Sequence, residues 1–185
     1  MTRLAALAIA LAALVAAAPA AAAADTGLER LIAPTSVCPH QSEPNAPIAV
    51  QVRAMRCLTN FARHGAGLEL LAPAAQLNRA ASHKAGDILR CDDFSHEACG
   101  REFTFWMQRF GYLGEGCWRA AENIAWGTGT RATVRSIFGA WMRSAGHREN
   151  ILGPYAEIEI GLQRGGLEGN SGAHVWVQEF GSHEC

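Results

Sequence analysis

Three short stretches of the sequence combine imidazole or carboxylate side chains with apolar neighbours, and these side chains hold metal ions or move protons in proteins. They are FSH, which ends at His96, AENIAWG, which contains Glu122, and WMRSAGHRENIL, which contains His147. His147 could catalyse, bind a metal, or only hydrogen-bond the last carbonyls of a helix that ends near Gly146. Taken singly, His96 suits a solvated loop histidine and Glu122 suits a turn cap. The residues alone leave these alternatives open.

Other stretches resemble known catalytic motifs only in part. HEACG has Gly100 where a zinc-protease HExxH needs its second histidine. GNSGA lacks the last glycine of a nucleophile elbow and lies in a predicted hairpin turn. WGTGTRA is rich in glycine but does not follow a strong buried strand, as a dinucleotide site requires. None of the three therefore predicts an active site.

The first 24 residues have the three-part pattern of a secretory signal peptide. Arg3 precedes an apolar run, Leu4 to Val15, and a tract of small residues with Pro19 follows it. Leu4 to Ala24 would be long enough for an uncleaved anchor, but its alanines are weakly apolar and Pro19 interrupts the run. We predict cleavage near Ala24, a secreted mature protein, and no transmembrane segment after cleavage.

All six cysteines lie in the predicted mature part, which favours three disulfides in an exported protein. Six cysteines permit fifteen pairings. Cys91–Cys99 would bracket one short loop, Cys38–Cys57 would attach an N-terminal arm to the first helix, and Cys117–Cys185 would attach the C-terminus. No C-x₂-C pair supports a zinc ribbon, and disulfide formation leaves no free thiol for cysteine catalysis.

The charges argue against two classes of partner. The chain has 16 basic and 17 acidic residues, with a formal net charge of −1. The basic residues are scattered, and the single lysine is Lys84. This distribution argues against nucleic-acid binding and against binding to a membrane through a polybasic segment.

The pattern of apolar residues divides the mature chain into an irregular arm, residues 25–47, and one domain, residues 48–185. Apolar residues first recur at helical spacing and then, near the C-terminus, at every second position. Helices followed by an antiparallel hairpin predict an α+β layered domain. The predicted elements are a helix from Ile48 to about Gly65, a helix that Pro73 begins, a short helix before Gly111, a helix over residues 132–144 capped by Thr130, and strands around Ile160 and Val175.

In this order and spacing, FSH, ENIAWG, WMRSAGHRENIL and VWVQEFG resemble motifs of the CAP superfamily, which contains cysteine-rich secretory proteins, antigen 5 and plant pathogenesis-related proteins. Its domain is also called the SCP domain. The resemblance runs from about Ala49 to Gly181 and includes the helical patterns LTNFARHGAGLELL and AASHKAGDIL. The WMxSxGHRxNIL form resembles the bacterial branch.

This resemblance implies a disulfide-stabilised three-layer α-β-α sandwich with a central antiparallel sheet and a cleft. It assigns His96 and His147 as the two histidines of the cleft and Glu122 as its first acid. Ser144 stands where many eukaryotic members carry the second acid, so a paired-carboxylate mechanism loses one partner. The two imidazoles could bind Zn²⁺ or another divalent metal, with Glu122 orienting one of them.

The resulting functional prediction is a secreted CAP-domain protein, a binding protein rather than an enzyme. Its extracellular cleft would take a divalent metal, a small or lipid-like ligand, or both, and lipid, sterol or cell-envelope partners are expected. The alternative is a peptidase-like, metal-dependent hydrolase with Glu122 and Ser144 as tentative catalytic residues. A third interpretation is that His96, Glu122 and His147 form only a buried polar network.

Overall fold

The computed structural model describes residues 27–183. The predicted signal peptide and Cys185 lie outside the described residues. The elements, numbered in chain order, are α1 (Ile48–Gly65), β1 (Ala72–Pro73), α2 (Ala75–Cys91), α3 (Phe105–Arg109), β2 (Arg119–Gly127), α4 (Val134–Arg143), α5 (Ala145–Ile151), β3 (Glu157–Leu167) and β4 (Asn170–Ser182). No helix within the described range is long and apolar enough to cross a membrane.

The four strands form one sheet in the order β1-β3-β4-β2. β4 pairs antiparallel with β3, as predicted, and also with β2, whereas β1 adds a parallel pair in which Pro73 lies opposite Ile158. Pro73 therefore does not begin the second helix, which starts at Ala75. Proline lacks an N–H group and is tolerated in an edge strand such as β1.

Helices cover both faces of this sheet. α1 and α4 pack on one face around Trp141, Trp176 and Phe180, all at most 1% exposed. α2 packs on the other face, where its alanines contact Val175 and Val177. The predicted α-β-α sandwich is confirmed. Because both faces are covered, the polar alternate positions of the strands are buried as well.

Gly161 of β3 brings α2 very close to the sheet. A Cβ atom at this position would lie 2.1 Å from the main-chain oxygen of Ala81 in α2. Only glycine permits so close an approach of helix and strand. The close contact holds the following turn of α2, which carries Lys84, directly over the sheet.

Two disulfides fix segments that lack regular structure. Cys38–Cys57 attaches the N-terminal arm to α1, and Cys91–Cys99 closes the loop after α2. Cys117 is also disulfide-bonded. Its predicted partner, Cys185, lies outside the described residues.

Two local predictions in the region of α4 are wrong. Thr133, not Thr130, caps α4, because its hydroxyl oxygen accepts a hydrogen bond from the amide of Ser136 at 3.2 Å. The residues after Ser144 form a second helix, α5, so no helix ends at Gly146. Ser144 has extended backbone angles, φ −86° and ψ 124°, which break the helix for one residue. α5 can therefore leave at a new angle and carry His147.

Candidate binding cleft at the edge of strand β2

Glu122 lies within β2, the outermost strand on its side of the sheet. The prediction of a turn at this residue is wrong. Apolar side chains stand on both faces of β2, so the sequence shows no alternation that would mark a strand. The side chain of Glu122 is only 1% exposed and points to the face that α2 covers, next to its register partner Glu179.

His96 reaches Glu122 from the loop that the Cys91–Cys99 disulfide closes. Its Nδ1 lies 2.7 Å from Oε1 of Glu122, and the imidazole remains 53% exposed. Since a carboxylate oxygen accepts hydrogen bonds, Nδ1 carries the hydrogen and donates it. Nε2 of a neutral His96 therefore keeps its lone pair. The disulfide, the ring and the buried carboxylate together fix the position of this histidine.

His147 reaches β2 from the opposite helical layer. Nδ2 of Asn123 in β2 donates to the main-chain oxygen of His147 at 3.1 Å. Asn150 donates from the same helix to the main-chain oxygen of Glu122 at 3.3 Å and to the side-chain oxygen of Asn123 at 2.9 Å. These bonds attach α5 to the strand that carries Glu122. His96 and His147 thus approach one edge of the sheet from its two faces.

The imidazole of His147 is held in its neutral form. Burial lowers the pKa of His147, and the nearby charge of His96 lowers it further. Nδ1 of His147 is buried and makes no hydrogen bond within residues 27–183. His147 is therefore close to His96 in space but is not joined to Glu122 as His96 is.

Ser144 lies one helical turn before His147, between α4 and α5. Its main-chain oxygen accepts from the amide of Arg148 at 2.9 Å and so begins α5. In the described part of the chain its hydroxyl makes no hydrogen bond to His96, Glu122 or His147. Ser144 therefore changes the direction of the chain between α4 and α5.

The model of the cysteine-rich secretory protein family, CAP, matches residues 57–180 of the chain. The chain belongs to this family. The matched segment of the CAP domain contains all three cleft residues, from the loop of His96 to β2 and α5.

Similar proteins come from bacteria. A *Bacillus subtilis* protein, YkwD, described as uncharacterised, is 32% identical over 142 residues, which is 75% of this chain and 49% of that protein. An extracellular *Bacillus anthracis* protein that contains an SCP domain has a TM-score of 0.56 and 24% identity over 70% of this chain and 39% of that one. For a cysteine-rich secretory protein of *Staphylococcus aureus* the TM-score is 0.55 and the identity 20%, over 72% and 40%. The chain thus spans half or less of the length of these proteins.

Two buried ionisable residues of the CAP domain, Lys84 and Glu179, were not predicted from the sequence. Lys84 is 1% exposed and lies 4.0 Å from Oε1 of Glu122, measured from Nζ. Lys84 follows Leu77 by seven residues and so lies on the apolar face of α2. This position in the sequence could have indicated that Lys84 is buried. Glu179 follows Val175 and Val177 at a spacing of two and shares their buried face.

The imidazoles of His96 and His147 are the side chains available here to hold a metal. Within residues 27–183, no group of three or more His, Cys, Asp or Glu is placed to hold an ion. His96 has its Nδ1 hydrogen-bonded to a carboxylate, which is the usual arrangement of a metal-binding histidine. His147 is neutral, as a ligand must be. Such a site would leave several coordination positions to water or to a ligand.

Proposed function

We propose that this CAP domain is a secreted binding domain, and that His96 and His147 take up a divalent metal ion at the edge of β2. Disulfides form and persist in oxidising compartments, which supports export. Similarity to an extracellular protein of B. anthracis and to a secretory protein of S. aureus supports the same localisation.

The hydrogen bond between His96 and Glu122 is the observation that carries the proposal. A carboxylate behind an imidazole fixes the tautomer, orients the ring and raises the basicity of its other nitrogen. The 2.7 Å contact joins a half-exposed imidazole to a buried carboxylate. A histidine with only a surface role would not need so buried a partner.

Binding fits the geometry better than hydrolysis does. Bound to two histidines, a zinc ion would supply a Lewis acid and lower the pKa of a bound water. A hydrolase would also need a base that can reach this water. Glu122 is almost completely buried, and its Oε1 already accepts from His96. We assign Glu122 to holding the imidazole, so that the cleft binds without turnover.

Zinc binding by purified protein tests the proposal. We expect the wild-type protein to bind Zn²⁺ in calorimetric titration at neutral pH, and His96→Ala and His147→Ala each to weaken binding at least about tenfold. His83→Ala is the matched control, because His83 lies on the outer surface of α2. Equal binding by wild type, both cleft variants and the control would refute the proposal.

A cavity elsewhere in the domain suits the predicted small or lipid-like ligand. It has a volume of about 460 Å³ and lies between α1 and the open edge of β3, with Val52, Ile160 and Leu162 on its apolar side. Ligand cavities of small molecules begin at about 300 Å³. We expect a fluorescent fatty acid to bind here and Leu162→Arg to abolish this binding. An unchanged affinity in Leu162→Arg would place the ligand elsewhere.

A further inference from the structure

Two carboxyl groups lie side by side under the cleft, and three of their four oxygens have no hydrogen-bond donor within the described residues. Glu179 of β4 is the register partner of Glu122 in β2, so both side chains emerge on the face that α2 covers. Glu179 is 0% exposed. Neither of its carboxyl oxygens, nor Oε2 of Glu122, receives a hydrogen bond within the described residues.

Two ionised carboxylates would be very unfavourable in this arrangement. Each would lose its hydration, and each would repel the other across a short distance in a medium of low polarity. One proton shared between them removes the repulsion, because a carboxylic acid donates where a carboxylate accepts. The same proton satisfies the acceptor that Glu122 leaves open.

The surrounding charges also favour a single proton. From α2, Lys84 is the one buried cation that faces the pair in the described structure. From β3, Glu159 is the register partner of Glu179 on its other side, but Arg56 of α1 binds it at 2.9 Å. From the loop after α2, His96 contacts the pair through its hydrogen bond to Glu122. Buried Lys84 supplies one positive charge, so the buried group is electrically neutral only if one of Glu122 and Glu179 is protonated.

We propose that Glu179 is a positioning residue, held as a neutral carboxylic acid, which donates a hydrogen bond to Oε2 of Glu122 and thereby fixes the carboxylate that orients His96. Each oxygen of Glu122 then has its own donor, His96 on Oε1 and Glu179 on Oε2. The chain Glu179–Glu122–His96 runs from the interior of the sheet to the half-exposed imidazole. The purpose of this hydrogen bond rests on the proposed metal binding by His96.

The electrostatics of the site agree with this assignment. Burial raises the pKa of Glu179 well above the usual range of a glutamate, and the charge of Glu122 raises it further. Lys84 acts in the opposite direction with a smaller effect. A buried acid that stays protonated so that it can donate is an established arrangement in proteins.

Carbon-13 NMR of glutamate-labelled protein, recorded without any metal, tests the proposal. We expect one side-chain carboxyl signal at the chemical shift of a protonated acid at neutral pH, and Glu179→Gln should remove it. Glu159→Gln is the matched control, because Glu159 belongs to the same row but is paired with Arg56. It should instead remove a signal of an ionised carboxylate.

The ring nitrogens of His96 provide the second measurement. The amide of Glu179→Gln can still donate to Glu122, so the nitrogen-15 shifts should keep the wild-type tautomer, whereas Glu179→Leu removes the donor and should alter them. An ionised Glu179 signal at neutral pH, or an equal disturbance of His96 by both variants, would overturn the proposal. If Glu179→Leu does not fold, the carboxyl signal and the glutamine variant decide. A failure to bind zinc would refute the proposed function and leave these spectra unchanged.

Discussion

The ammonium group of Lys84 donates a hydrogen bond to the main-chain oxygen of His96 and lies 4.0 Å from Oε1 of Glu122. Lys84 therefore contacts both members of the pair that the cleft depends on. It connects α2, the disulfide-closed loop and β2 at one buried point.

Replacing Lys84 should destabilise the whole domain. In Lys84→Met the carboxylate of Glu122 keeps its charge but loses its buried counter-ion, so we expect the free energy of unfolding to fall by about 3–5 kcal/mol. Urea denaturation measures this change. The double variant Lys84→Met, Glu122→Gln should lose less than the sum of the two single variants, since it removes both charges. Strict additivity would show that the two charges do not interact.

Opening the Cys91–Cys99 disulfide should affect the cleft directly. The double variant Cys91→Ser, Cys99→Ser should lower the free energy of unfolding by about 2–3 kcal/mol, as expected for a short loop. It should also broaden the ring signals of His96 in NMR spectra, because the loop gains freedom. Cys38→Ser, Cys57→Ser is the control, which should cost stability but leave these signals sharp. Sharp His96 signals in both variants would show that Glu122 alone fixes the ring.

Asn123 should control the placement of His147. It is 0% exposed and donates to the main-chain oxygen of His147 and to the side-chain oxygen of Gln178 at 3.0 Å. Asn123→Leu leaves these buried acceptors without a donor and should cost about 1–3 kcal/mol for each. We expect weaker zinc binding with His96 unchanged. A variant with lower stability but wild-type zinc affinity would separate Asn123 from the cleft.

The protonated state of Glu179 has a consequence for stability against pH. Its pKa in the folded protein is raised, so the folded state binds more protons than the unfolded state above the ordinary pKa of about 4.5. The stabilisation is complete below that pH and is lost as the pH rises towards the folded pKa. We expect the wild-type free energy of unfolding to fall with rising pH relative to that of Glu179→Gln. Parallel pH profiles for the two proteins would contradict this expectation.

One half-buried and one buried histidine should produce a loss of stability in acid. Burial is the main cause that lowers the pKa of both His147 and His174, so the unfolded chain takes up protons near pH 6.5 and the folded chain only at lower pH. The stability is complete above that value and is lost as the pH falls. His174→Gln, which is outside the cleft, should reduce the loss between about pH 7 and about pH 5. A profile identical to wild type would assign the loss to other groups.

Periodicity predicted the elements of this fold well where one face of an element dominates. α1 and the β3–β4 hairpin have clear apolar stripes, and their positions follow from the sequence. β2 was missed because both of its faces are buried, so its side chains do not alternate. For the same reason Glu159, which alternates with Ile158 and Ile160 along β3, is only 5% exposed.

The resemblance to the CAP superfamily brought His96, Glu122 and His147 to attention, but it did not specify their contacts. Which imidazole binds Glu122 depends on how the loop that carries His96 lies against β2. No local sequence pattern determines this arrangement. Lys84 and Glu179 were missed although each occupies a buried position of a regular element. In both cases the sequence places an ionisable residue on an apolar face, and this pattern could have indicated a buried charge.

The outermost position of β2 in the sheet determines how a ligand would arrive. Within residues 27–183 no further strand covers the free edge of β2, and the ring of His96 is half open to water. An ion could therefore come and go without any hinge or lid motion of the layers. Its residence time would be set by the chemistry of ligand exchange, so that the cleft would equilibrate quickly with the surrounding solution.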